Sequence, residues 1–414
     1  MKMLLIKVIF MVFSDFYRFM AAVLDWRSHL RALRGGPRFD VACITNFENE
    51  VQRYFMGLRG MRKKWVYGLR FSLGDTLVRY IMINSTFRNL TRPAGKEKGK
   101  EQVRAAIADA VRKGARVILF AAYIKRLFRE NELKELRAAY SGVTFTIGDN
   151  GTAWALLVDV FRAIESNNLN HSSRIMILGP NGFLGSALVT VLRNSGFTNL
   201  VLVSSRSGRT NPFDGIRDVE LVAACSHHGN LRLTADILRN ISHPKGIYVV
   251  DVCRPVNFHY REFAKCDRER VGRQDAGVVF NRRLKYVFLP GALFVLKKLR
   301  LSPHRLYGCF SEATALGAVE NAILQQYDFM NTNRKALKFV ETIFAEQGFE
   351  ISPVSNYGKN VGRRGRRGGV FPRAELPDSA ECGSPAGTAS GKKAGDDLPG
   401  CPTPGSARNF HTFL

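Results

Sequence analysis

The chain has 414 residues, 45% of them apolar and 23% charged, enough for two domains with sizeable cores. Its 62 Lys and Arg outnumber 35 Asp and Glu, leaving a formal charge of +27 that favours acidic partners: nucleic acid, an anionic membrane surface or an acidic carrier protein. The basic residues are scattered from Arg27 to Arg408 with no recognisable nucleic-acid module, so no nucleic acid is expected as a partner. None of the seven cysteines forms a C-x-x-C pair or has zinc spacing, which predicts reduced thiols, a cytoplasmic compartment and no metal.

Residues 1–38 read as an extension. The run MKMLLIKVIFMVF is divided by Lys7, followed by Asp15, and is shorter than the roughly 20 residues a bilayer span requires. It also lacks the long clean apolar stretch of a secretory signal. With Phe10, Phe13, Phe16, Tyr17 and Phe19 it suits a peripheral amphipathic segment touching a membrane through residues 1–24, or an extension packed on the first domain.

The first domain is expected over 39–168. A short apolar strand at 39–44 precedes a helix with Asn46 as N-cap. The segment from Arg92 reads as a basic loop leading into a helix that stops at Gly114. VILFAAY is a buried strand, LFRENELKELRAAY an amphipathic helix and VTFTIG another strand. Alternating strands and helices indicate an α/β substrate domain. A helix over 152–168 leads into the second domain, 169–355. There IMILG, NLVLV, ELVAAC, IYVVDV and KYVFLP are spaced for crossovers and a parallel sheet. SEATALGAVENAILQQY predicts a long helix with Ser311 as N-cap, and RKALKFVETIFAEQGF a helix closed by Gly348. Residues 356–414, with VGRRGRRGG and a stretch rich in Gly, Pro, Ser and Ala, read as a disordered basic tail.

The chemistry concentrates in two places. The strand Ile175–Leu178 runs into Gly179-Pro180-Asn181-Gly182-Phe183-Leu184-Gly185 and then a helix over 186–193. Glycines are needed where a backbone turns tightly, approaches a pyrophosphate and packs a helix on a strand. The free N–H groups of the helix then face the phosphate. Three glycines alone are weak evidence, but set between a strand and a helix they predict a Rossmann-type dinucleotide site. The next strand ends in Ser204-Ser205-Arg206 instead of the Asp or Glu that holds NAD ribose hydroxyls. Hydroxyls and a guanidinium suit a 2′-phosphate, so NADPH is the expected cofactor.

Cys309 lies in Tyr307-Gly308-Cys309-Phe310-Ser311-Glu312, just before the long helix. A thiol near a helix N-terminus can have its pKa lowered and act as a nucleophile. The residues alone favour the plainer alternative, a small core cysteine between aromatic neighbours.

Several islands in order change this balance: FDVACITNFENEVQRYF, GDNGTAWAL, GPNGFLGSAL with SSR, IYVVDVCRP, KYVFLPGAL and above all GCFSEATAL. From about residue 39 to 353 the chain resembles the long-chain acyl-carrier-protein reductases, NADPH-dependent enzymes that form aldehydes. The resemblance implies attack by Cys309 on a fatty acyl thioester carried by acidic acyl carrier protein or coenzyme A, then reduction of the acyl-enzyme to an aldehyde. This chain departs from that pattern at Ala121-Ala122, where the family tends to have glycines, and at Gly151, where a histidine is usual. Two other readings stand beside it: an NADP-dependent dehydrogenase of the shikimate-dehydrogenase type with a structural Cys309, and a non-catalytic nucleotide-binding or membrane-peripheral protein.

Overall fold

A computed structural model of the chain describes residue 12 and residues 15–55, 63–205, 211–226, 231–253 and 256–361. The first sheet contains β1 (Val41–Phe47), β2 (Trp65–Leu73), β3 (Thr76–Thr86), β4 (Val117–Phe120) and β5 (Thr144–Thr146). β1 runs parallel to both β3 and β4, β4 runs parallel to β5, and β2 folds back antiparallel on β3. Successive strand residues point to opposite faces. Val41, Cys43, Val78 and Tyr80 therefore enter one core, and Ala42, Ile44, Leu77 and Ile81 the other. The second core is roofed by Val103, Ala106, Ile107 and Ala110 of the helix Pro93–Arg112. Burial on both faces is why β1 and β4 read as apolar runs.

The second sheet is wholly parallel, with β6 (Ile175–Leu178), β7 (Leu200–Val203), β8 (Leu221–Ala224), β9 (Ile247–Asp251) and β10 (Val271–Asp275) in the order β10-β9-β8-β6-β7. Its residues divide between two cores in the same way: Ile175 and Ile177 to one, Met176 and Leu178 to the other. The winding reverses between β6 and β8, which opens a crevice outside their carboxyl ends. The fold is thus α/β with two largely parallel sheets, the second of Rossmann type. One helix, α1 (Asp149–Ser166), joins them, and α2 (Phe183–Asn194) crosses from β6 to β7. α1 gives Leu156, Val160 and Ile164 to the second sheet and Ala155 to the core of the first.

A small antiparallel sheet of β11 (Val278–Phe280), β13 (Arg305–Tyr307) and β14 (Glu350–Ile351) feeds α4 (Gly308–Leu316), and β12 (Leu284–Tyr286) leads to α3 (Leu289–Lys298). α5 (Arg334–Glu346) packs Val340 and Phe344 under the first sheet and ends before Gly348, as the sequence predicts.

Several local expectations need correction. KYVFLP does not join the parallel sheet. β12 pairs antiparallel with β2, returning to the first sheet, and the fifth parallel strand is the polar VGRQD of β10. Asn46 lies inside β1; Asn49 accepts from the Gln52 amide at 2.9 Å and so opens the following helix. The segment read as a basic loop is helical from Pro93, whose missing N–H costs nothing at a first helical position. α2 begins at Phe183, three residues before the expected start. α4 begins at Gly308 with Ser311 inside it, and it stops at Leu316; the next residue, Gly317, lies against Val41 and Thr76 where a side chain would collide.

The start of the expected disordered tail is instead structured, Lys359–Asn360 pairing back on Ser355–Asn356 as a hairpin, and residues 362–414 lie outside the described residues. Residues 15–33 are largely helical and anchored: the Asp25 carboxylate accepts from Arg70 at 3.0 Å and from the buried Arg79.

Candidate functional site

At the end of β6 the backbone turns at Gly179 with φ +79°, a conformation L side chains rarely adopt. A Cβ there would sit 3.1 Å from Ser226, which follows β8 across the crevice. At Gly185 a Cβ would lie 2.1 Å from the Gly179 carbonyl oxygen, so only glycine lets α2 seat this close to the strand. Gly182 is the N-cap and makes no side-chain cap, and the first intrahelical bond runs from the Ser186 amide to the Gly182 carbonyl at 2.8 Å. The amides of Phe183, Leu184 and Gly185 therefore have no acceptor within the helix and point out of its positive end.

Asn181, Gly182 and Phe183 are exposed, while Leu184 turns its side chain into the core and can offer a ligand only its amide. Ser204 and Ser205 follow β7, whose Val203 carbonyl accepts from the Gly179 amide at 2.9 Å, so the chain at these two residues flanks the loop. Arg206 lies outside the described residues. Two glycines whose Cβ positions are filled and a row of free amides fit a dinucleotide pyrophosphate.

Cys309 is the second residue of α4, in its first turn. Gly148, at φ +70°, presses its backbone on it: a Cβ on Gly148 would lie 2.4 Å from Cys309 Cβ. Gly151 and Gly308 meet the same way, each leaving no room for a Cβ against the other's backbone. Packing therefore excludes any side chain at position 151.

Burial pushes the Cys309 thiol up to about 12. The Lys125 ammonium lowers it, and Asp149 and Glu312 raise it. Lys125 is held at 2.7 Å from Asp149 Oδ1 by the turn after β4. In that turn Ala122 has φ +54°, a left-handed conformation that costs glycine nothing and leaves this alanine strained. Glu312 is fully buried. Its carboxylate accepts from the Thr146 hydroxyl at 2.5 Å and the Gly151 amide at 2.6 Å, tying α1 to α4. Burial raises its carboxyl to about 7.

The two places lie on one edge of the parallel sheet. The Gly308 amide donates to the Gly277 carbonyl at 2.8 Å, just past β10. Gly277 packs on Val252 beyond β9, and the Val252 amide donates to Ala224 at the end of β8. The Cys225 amide in turn donates to Leu178 at the end of β6. Cys309 and the glycine loop therefore both lie beyond carboxyl ends of strands in this sheet, Cys309 beyond β10 and the loop at β6, with β9 and β8 between.

Two concave regions, of about 300 and 710 Å³, lie away from this edge, one beside Tyr327 and one along β2. Glu312 stands out in the sequence as a carboxylate near Cys309 that works against a lowered thiol pKa, whereas Lys125, Asp149 and Thr146 were not singled out there. Only the polar turn TIGDNG hinted at them, and its contact with Cys309 spans some 160 residues of chain.

No family model matches the chain, and no curated protein does. Among solved structures it is similar to a malic enzyme of Pyrococcus horikoshii, with 12% identity, 77% of this chain and 78% of that one covered, and a TM-score of 0.34. It is also similar to a methylenetetrahydrofolate dehydrogenase of the silkworm Bombyx mori (12%, 78% and 95%, 0.29). A third is the methylenetetrahydrofolate dehydrogenase-cyclohydrolase of Trypanosoma brucei, complexed with NADP and an inhibitor (13%, 80% and 96%, 0.29). None of these three is an acyl-carrier-protein reductase.

Proposed function

We propose that the chain is a nicotinamide-nucleotide-dependent oxidoreductase with NADPH as its cofactor. The observation that supports this is the glycine loop at the reversal of the parallel sheet, where Gly179 and Gly185 exclude side chains and the first amides of α2 are free. Those amides would hold the pyrophosphate, and Ser204, Ser205 and Arg206 the 2′-phosphate. Bound there, NADPH supplies a hydride.

The finer reading is reduction of a long-chain acyl thioester through Cys309. Its thiolate would attack the thioester carbonyl, expelling the carrier thiol, which takes up a proton. Hydride addition to the acyl-enzyme carbonyl would then release an aldehyde and restore the thiolate. Lys125 is the cation that favours the thiolate, and the excess of basic residues suits an acidic acyl carrier protein. A second reading, a dehydrogenase with no covalent step, is favoured by the burial that raises the thiol to about 12 and by two carboxylates beside it. Cys309 would then be a packing residue where α1 crosses α4.

Intact-protein mass spectrometry with a long-chain acyl thioester and no NADPH separates the two. An adduct on the wild type, absent from Cys309→Ala and discharged as aldehyde when NADPH is added, supports the covalent route. NADPH binding without an adduct, from either carrier-protein or coenzyme A thioesters, favours the dehydrogenase. Failure to bind NADPH removes both.

A further inference from the structure

Surface helices normally turn their apolar stripe inward. The helical segment before residue 24 has a second, outward one. Tyr17 and Ala21 are buried, while Val12, Phe16, Phe19 and Val23, spaced by four, three and four residues, are each at least half exposed. The next helix, Trp26–Leu33, repeats the pattern with Trp26, Leu30 and Leu33, of which Leu33 is 83% exposed. α3 extends this face: Gly291 lies on the Tyr17 ring, Phe288 stacks on Tyr17 at 6.2 Å, and Leu289 and Leu293 stay open to solvent. The buried Asp25–Arg79 pair fixes the two helices to the first sheet, so the apolar surface is presented rigidly.

The surroundings are cationic. Residues 1–38 contain seven Lys and Arg, two Asp and no Glu. Beside Phe19 opens the cavity of about 710 Å³, whose lining includes Arg18, Lys63, Lys64 and Arg70 together with Trp65 and Tyr67; Arg18 pairs with Asp15, Lys64 with Glu101 and Arg70 with Asp25, with Lys63 in excess.

We propose that this face docks on an anionic lipid bilayer. Exposed aromatic and aliphatic side chains would enter the headgroup–acyl boundary, with basic groups meeting lipid phosphates around them. Trp and Tyr beside cations suit that boundary, where a ring can be half in water. A second copy of the chain is a poorer occupant, because pairing the face with itself would bring like charges together. Among the described residues no helix is long and apolar enough to cross a membrane, so the contact is one of lying on the surface. This inference does not rest on the nucleotide reading.

Flotation of the full chain with vesicles tests it, using phosphatidylcholine with and without phosphatidylglycerol. Binding is expected only to the anionic vesicles, with a blue shift of tryptophan emission that Trp26→Ser removes. The triple variant Phe19→Ser, Trp26→Ser, Leu33→Ser alters exposed positions only. It should melt like the wild type and lose at least roughly tenfold in vesicle affinity. Undiminished flotation of that variant would show simple electrostatic adhesion elsewhere and overturn the proposal. So would equal binding to neutral vesicles, or a dimer that the triple variant abolishes while the wild type binds no vesicle.

Discussion

Glu312→Gln tests the electrostatics beside Cys309. The wild-type carboxyl is raised from 4.5 to about 7 by burial, and its bonds from Thr146 and Gly151 offset only part of that cost. A carboxyl raised by folding keeps its proton longer in the native state, so the native state binds more protons than the unfolded chain between about pH 4.5 and 7. Stability attributable to this group is therefore present in acid, falls as pH rises through that window, and levels off above it. The full difference is about 3 kcal/mol, of which about 2.5 kcal/mol accrues between pH 5 and pH 8. Glutamine cannot ionise. It also faces the Gly151 N–H with one donor too many, a cost of about 1–3 kcal/mol that does not depend on pH. Urea denaturation of both proteins at pH 5 and pH 8 isolates the ionisation. The difference in stability, variant minus wild type, should move in favour of the variant by about 2.5 kcal/mol on going to pH 8. Alkylation of Cys309 should also quicken in the variant, because a carboxylate that disfavours the thiolate is gone. A pH-independent difference, or one of opposite sign, would refute the reasoning.

In the nucleotide loop two substitutions should separate packing from binding. Gly185→Ala brings a Cβ to 2.1 Å from the Gly179 oxygen, and should cost about 1–3 kcal/mol in thermal denaturation as well as NADPH affinity. Gly182→Ala has φ −86° and nothing nearer than 3.5 Å. It should melt normally yet weaken NADPH on the order of tenfold in a fluorescence titration, since the ligand approaches this backbone. Ala122→Val places a β-branched residue at φ +54° and should lose about 1–2 kcal/mol by chemical denaturation, whereas Ala122→Gly should lose nothing. Arg273 is buried between Asp251 and Asp275 with the Tyr357 ring 4.0 Å from its guanidinium. Arg273→Met leaves both carboxylates with neutral donors but no counter-charge and should cost about 3–5 kcal/mol, read by the same assay.

The glycine loop was legible in the sequence because all its parts are consecutive: the apolar run of β6, three glycines at fixed spacing and an apolar-periodic helix. Local sterics and free helix amides require those residue types whatever the rest of the chain does. The strands β1, β4, β6, β8 and β9 were readable for a related reason, since burial on both faces leaves an unbroken apolar run. β10 was missed because its sequence, VGRQD, is polar. Arg273 and Asp275 are tolerable inside only when Asp251 and Tyr357 surround them, and nothing local announces those partners. The β2–β3 hairpin went unassigned, and β12 was placed in the wrong sheet, because an apolar strand carries no mark of the neighbour it will pair with.

The surroundings of Cys309 belong to tertiary structure altogether. The sequence put it near a helix start, which predicts a lowered thiol pKa. Packing against Gly148, with Asp149 and Glu312 close by, raises it instead, since desolvation outweighs the helix end and the one nearby cation. Motifs whose function resides in backbone geometry are written in the order of the residues. The ionisation of a buried side chain depends on what water has been excluded and which charges stand near, and only the folded chain decides both.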